Sequence, residues 1–145
     1  GLEKMSVVAV LLVSTGAIAG IIKASTLTDL LISVLGQGEA SRLLLAPLSG
    51  ILMSAATAST TAGATIASAS FAPSILASGM SAIWGAALVN VGATVLDHLP
   101  HGSFFHASGG SMELSIKEML RLIPYMTLVG LTLTLLMIGE YLIIE

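Results

Sequence analysis

Two groups of side chains in this sequence are of the right type and spacing to do chemistry. One is a hydroxyl cluster in the stretch SAATASTTAGATIASASFAP, residues 54–73, where Ser54, Thr57, Ser59, Thr60, Thr61, Thr65, Ser68 and Ser70 alternate with alanine and Gly63. A hydroxyl both donates and accepts a hydrogen bond, so such a cluster can hold a polar solute or tie helices to one another. The other group is Asp97, His98, His101 and His106, which gathers every histidine of the chain beside one carboxylate. Imidazole exchanges protons near neutral pH, so a histidine next to a carboxylate suits proton binding or gating. A single aspartate that follows a long uncharged run is a functional candidate when it lies at membrane depth. It is an ordinary helix cap when it lies at the surface.

The run that holds the hydroxyls, residues 43–96, contains no Asp, Glu, Lys or Arg. Over the 145 residues the mean hydropathy is +1.01, with 55% hydrophobic and 9% charged residues. A soluble domain carries about 25% charged residues, so these values place the chain in a membrane. Without cysteine, disulfides and thiolate–metal chemistry are excluded. A net charge of −3 argues against nucleic acid as a partner. The first residues, GLEKMSVVAV, lack the pattern of a secretory signal. They begin on Gly, as expected of a piece of a longer protein.

At about 20 residues per crossing, the sequence predicts an all-α, multi-pass membrane protein. Spans are expected at about 5–24, 43–71, 74–96 and 124–144. Gly16 and Gly20 in the first span form a close-packing pair. The segment 27–36 is too short to cross, is preceded by Ser25 and Thr26 as candidate caps, and reads as re-entrant or interfacial. The segment 112–122 carries Glu113, Lys117, Glu118 and Arg121 on one side and apolar residues on the other, the pattern of an amphipathic interfacial helix. Pro73 and Pro124 read as boundaries. A helix over 43–71 is too long for one straight span, and threonines with Gly63 weaken it, so a break is expected within 57–63. Asn90, a polar group inside an expected span, reads either as an interhelical hydrogen bond or as a solute contact. Tyr125 and Tyr141 are expected near opposite membrane surfaces.

Enzyme readings find little support. The spacing of Asp97, His98, His101 and His106 is loose for a metal site, and Pro100 and the glycines make the loop hard to preorganise. Around Ser108 there is no nucleophile elbow, and no phosphate-binding glycine loop occurs. No cofactor is expected. What remains is solute or ion handling, or a membrane packing module whose small residues only mediate helix contacts.

The segment Leu96-Asp97-His98-Leu99-Pro100-His101-Gly102 resembles a Leu-Asp-x-Leu-Pro-His motif of the gluconate permease (GntP) family, in its organic-acid branch. The small-residue stretch before it and IKEMLRLIPYMTLVG after it are similar to that family's neighbouring segments. The aromatic Phe104 and Phe105 depart from the pattern. The resemblance implies an inner-membrane, proton- or cation-coupled symporter of a small organic anion such as gluconate, a hydroxy or keto acid, or a short-chain fatty acid. It further implies two inverted repeats with re-entrant hairpins, of which this chain would be the C-terminal one. Its partners would then be the organic carboxylate, membrane lipid and the remaining half of the carrier, with homo-oligomer formation left open. On this reading Thr57, Ser59, Thr60, Thr61, Gly63 and Asn90 contact substrate, while Asp97, His98 and His101 serve coupling or gating. H⁺ or Na⁺ would be the co-transported ion. No lysine or arginine lies in either element, so helix N-termini, a co-transported cation or the other half must offset the substrate's charge.

Overall fold

In the computed structural model, residues 13, 17, 20–22, 24–35 and 38–145 are described. All regular structure among them is helical: α1 (Leu27–Leu35), α2 (Glu39–Thr57), α3 (Thr60–Ala77), α4 (Ala82–Ala93), α5 (Ser103–Ser111) and α6 (Ile116–Ile144). The span expected at 5–24, with its Gly16 and Gly20 pair, lies largely outside the described residues.

The run 43–71 is not one interrupted span. It is divided between two helices that double back on each other. Helix α2 ends because Ala58 adopts a left-handed conformation (φ 45°, ψ 45°), which is costly for any residue with a Cβ. Ser59 then turns extended, and its hydroxyl accepts the Ala62 N–H at 3.3 Å, capping α3. The reversal brings Gly63 onto the Ser54 backbone, where an added Cβ would lie 2.6 Å from the Ser54 Cα. Only glycine lets the two helices approach so closely.

Pro73 does not end a helix; it lies inside α3, which continues to Ala77. The span expected at 74–96 is correspondingly shorter: its start belongs to α3, and α4 covers only Ala82–Ala93, capped by Ser81. Helix α4 packs on both its predecessors. An added Cβ at Gly50 would overlap the Val89 carbonyl, and one at Gly92 would overlap the Pro47 carbonyl. Leu45, Met53, Ile66, Phe71 and Leu88 fill the space between these three helices. In a membrane such contacts stabilise by van der Waals packing, since lipid is as apolar as the helices themselves.

The segment 112–122 is not a separate piece either. From Ile116 it is the opening of α6, which runs through Pro124 for 29 residues to Ile144. Ser115 and Glu118 form a reciprocal capping box at its start. At 1.5 Å per residue α6 is about 44 Å long, more than the ~30 Å hydrocarbon core, so its charged first turns project beyond an apolar span. It is the one helix among the described residues long and apolar enough to cross a membrane. Leu128, Leu135, Leu136 and Ile143 on it are all exposed.

Helix α6 runs back along α4 in a fixed register. Tyr141 meets Trp84 edge-on at 5.4 Å, the Thr134 hydroxyl approaches the Val91 carbonyl at 3.4 Å, and Gly130 lies against Val95. One more step along that register brings His98 to Thr127. Tyr141 is thus half-buried, whereas Tyr125 is exposed, about 24 Å away along the same helix axis.

Candidate functional site

The second interruption spans residues 94–102, between α4 and α5. Helix α4 ends at Thr94, whose hydroxyl donates to the Val91 carbonyl at 2.7 Å, and the chain turns irregularly until Gly102 starts α5. Irregular backbone at membrane depth has to be covered by protein or line a cavity. Here it is held by side chains from two other helices.

Asp97 and His98 do most of the holding. One carboxylate oxygen of Asp97, Oδ2, receives the hydroxyl of Thr60 at the start of α3. The other, Oδ1, lies 3.2 Å from Nδ1 of His98. His98 is 2% exposed, and its Nε2 faces α6, 3.0 Å from the Thr127 hydroxyl and 3.2 Å from the Ile123 carbonyl. A connected chain of polar groups therefore joins α3, the interruption and α6. A second contact ties the two breaks together: an added Cβ at Gly102 would overlap the Ala58 carbonyl. The turn between α2 and α3 and the irregular segment after α4 thus pack against each other.

The other residues singled out from the sequence fall in different places. The Thr57 hydroxyl donates to the Met53 carbonyl at 2.8 Å and approaches the Ser59 carbonyl at 3.2 Å, which stabilises the turn. Ser59 is the α3 cap, Thr61 is exposed, and Gly63 belongs to the α2–α3 contact. Ser54, buried, and Thr65, exposed, bond the carbonyls of their own helices, as hydroxyls in helices commonly do. Of the hydroxyls in 54–73, Thr60 is the one whose bond, among those described, reaches a remote charged side chain. Asn90 is exposed on α4 and makes no side-chain hydrogen bond among the described residues. His101 is exposed in the turn before Gly102. His106 is exposed on α5 and packs edge-on against Phe105 at 5.3 Å. Among the described residues no three histidine or carboxylate side chains gather closely enough to hold one metal ion.

An open cleft of about 260 Å³ lies against the polar chain, lined by Thr94, Asp97, His98 and Phe104 on one side and by Met126, Val129, Gly130 and Leu133 of α6 on the other. Asp97 keeps a quarter of its side chain exposed, whereas His98 is almost wholly enclosed. No lysine or arginine pairs with Asp97 among the described residues; its side-chain neighbours are the Thr60 hydroxyl and the His98 imidazole. Sequence reasoning missed Thr127, one of three threonines in a leucine-rich run with no motif to mark it.

Comparison with known proteins finds a relative over most of this chain. An uncharacterized transporter of Haemophilus influenzae is 54% identical over 135 residues, which is 93% of this chain and 32% of the relative. The chain thus spans about a third of the length of the curated relative it matches. No family model and no solved structure matches it.

Proposed function

We propose that this chain is part of a secondary transporter, resembling the C-terminal repeat of a gluconate-permease-like carrier, that moves a small organic anion across the inner membrane together with a proton or another cation. The relative's name and the apolar, all-helical character of the chain support a transport role. The observation that carries the finer reading is the meeting of the two interruptions at Thr60, Asp97 and Ala58 with Gly102. Broken helices that meet near the membrane midplane are the way carriers build solute sites. The starts of α3 and α5 lie at this meeting point, and helix N-termini favour an anionic group.

On this reading Thr57, Ser59, Thr60 and Thr61 frame the anion, while Gly63 sets the hairpin's spacing. Asp97, His98 and the more exposed His101 couple or gate. An organic anion that approaches Thr60 meets the Asp97 carboxylate, so the two negative charges must be offset before both can share the site. A cation taken up with the substrate does that, which makes coupled symport the economical mechanism.

The test is uptake of gluconate, a hydroxy acid and a short-chain fatty acid by cells that express the full-length carrier. Asp97→Asn is expected to abolish coupled uptake while expression and membrane insertion persist. Unchanged uptake would remove Asp97 from the mechanism. A second reading, a packing or assembly module without transport, is favoured by the glycine contacts at Gly63 and Gly92 and by hydroxyls that bond their own helices. That reading predicts no uptake by the intact protein for any of the three solutes.

A further inference from the structure

The start of α6 carries two cations that no described residue neutralises. Lys117 and Arg121 stand about one helical turn apart, both exposed, and neither makes an ion pair or hydrogen bond among the described residues. The carboxylate beside them, Glu118, is already occupied. Its Oε2 accepts the Ser115 N–H at 2.9 Å and the Ser115 hydroxyl at 2.6 Å in the capping box. Glu113 lies outside the helix, at a left-handed position in the turn before it. Like charges four positions apart repel, and Lys117 also stands in the first turn, where the helix dipole disfavours a cation. An anion bound between the two side chains relieves both penalties.

The packing of α6 identifies the surroundings from which that anion comes. The buried residues of α6, Met119, Gly130 and Thr134, lie on the side toward α4 and α5. At about 100° per residue, Lys117, Arg121, Tyr125, Leu128, Thr132 and Leu135 fall within a stripe about 80° wide on the opposite side. All six are exposed. The Thr132 hydroxyl donates to the Leu128 carbonyl of its own helix at 2.8 Å, so the stripe from Leu128 to Leu135 presents hydrocarbon to its surroundings. Arg121 and Glu140 are separated by about 28 Å along the axis, close to the ~30 Å hydrocarbon core. Arg121 therefore stands at one boundary of the core and Glu140 at the other. Lys117 lies about 6 Å farther out, and Tyr125 about 6 Å inside, within reach of the headgroup level.

From this we propose that Lys117, Arg121 and Tyr125 bind the phosphate headgroup of an anionic phospholipid in the cytoplasmic leaflet, whose acyl chains lie along the outer stripe of α6. The start of α6 then faces the cytoplasm. The planar guanidinium of Arg121 suits two phosphate oxygens at once, Lys117 adds a second charge, and the Tyr125 hydroxyl donates to the same headgroup. After Arg121 the helix contains no lysine or arginine, and Glu140 is its one charged side chain. Basic residues beside a span are kept on the cytoplasmic side, where anionic headgroups attract them. The proposal depends on α6 lying in a membrane and not on what the carrier moves.

The experiment is native mass spectrometry of the full-length protein in mild detergent, titrated with dioleoylphosphatidylglycerol and, in parallel, with dioleoylphosphatidylcholine. One phosphatidylglycerol is expected to be held about fivefold more weakly in Lys117→Gln or Arg121→Gln, and about twenty-five-fold more weakly in the double variant, with phosphatidylcholine binding unchanged. The exchange variant, Lys117→Arg with Arg121→Lys, keeps both charges and should keep the site, which separates lost charge from lost fold. Phosphatidylglycerol binding that is equal in the wild type and the double variant overturns the proposal; the cations then serve other carboxylates of the carrier. Displacement of the lipid by inorganic phosphate, where sodium chloride of equal ionic strength displaces none, overturns it too, because the ligand is then the soluble anion. Orientation is read from Met112→Cys in the full-length protein with any other cysteines replaced. A membrane-impermeant maleimide should label it in inside-out vesicles and not in right-side-out ones. The reverse pattern overturns the assignment to the cytoplasmic leaflet.

Discussion

The two interruptions of the helical chain are built on different physics. The first, between α2 and α3, is a tight reversal that local groups hold: Ala58 in a left-handed conformation, Ser59 as a cap, and the Thr57 hydroxyl on nearby carbonyls. The second, residues 94–102, has local bonds at its two ends, from Thr94 and Val95 to α4 and from the Gly102 N–H to the Leu99 carbonyl, and its middle is held at a distance, by Asp97 to α3 and by His98 to α6. A locally closed turn behaves as a rigid fixture. A segment held by contacts to other helices depends on how those helices pack. On the proposed transport reading, framing falls to the first and gating to the second.

Three substitutions break or sharpen this contrast. The largest effect is expected from Gly92→Val, whose side chain would overlap the Pro47 carbonyl and drive apart the helices that support both breaks. The expected cost is about 3 kcal/mol or more, seen as loss of a monodisperse folded peak on size exclusion in detergent. A variant that stays folded would show that the α2–α4 contact is looser than its glycines indicate.

His98→Ala comes next. It leaves Asp97 without its imidazole partner and the Thr127 hydroxyl without its ring partner, for an expected loss of about 2–3 kcal/mol. Thermal unfolding in detergent at neutral pH should fall, and proteolysis should become faster within 94–102 rather than at the first turn. Equal cutting at both turns would erase the proposed difference between them. The smallest effect belongs to Ser59→Ala, which removes one cap bond from a turn with other local support. It should cost about 1 kcal/mol and leave the protease pattern unchanged.

The sequence announced the first break through its β-branched threonines and Gly63, yet misassigned the roles within it. Gly63 is conspicuous as a helix breaker, but it sits inside α3 and serves close packing; the residue that turns left-handed is Ala58, which no propensity marks. Pro73 and Pro124 read as boundaries and lie within helices, because in apolar surroundings a helix with one missing donor is still better bonded than a chain with many. The charged segment after Gly110 looked separate because its polarity differs from the span that follows. Backbone hydrogen bonding does not distinguish polar from apolar side chains, so from Ile116 onward the helix runs through.

Composition alone determined that this chain is a set of apolar helices suited to a membrane, because thirteen charged side chains, five basic and eight acidic, are too few to hydrate a globule of this size. The cluster of hydroxyls and the Asp97/His98 pair were equally plain as residue types. Only the tertiary structure decided which of them meet. Thr60 lies 37 positions from Asp97, and His98 lies 29 positions from Thr127. Pairings at that range come from where the helices pack, through glycine contacts at Gly63, Gly92, Gly102 and Gly130, and not from the local preferences of the residues that end up bonded.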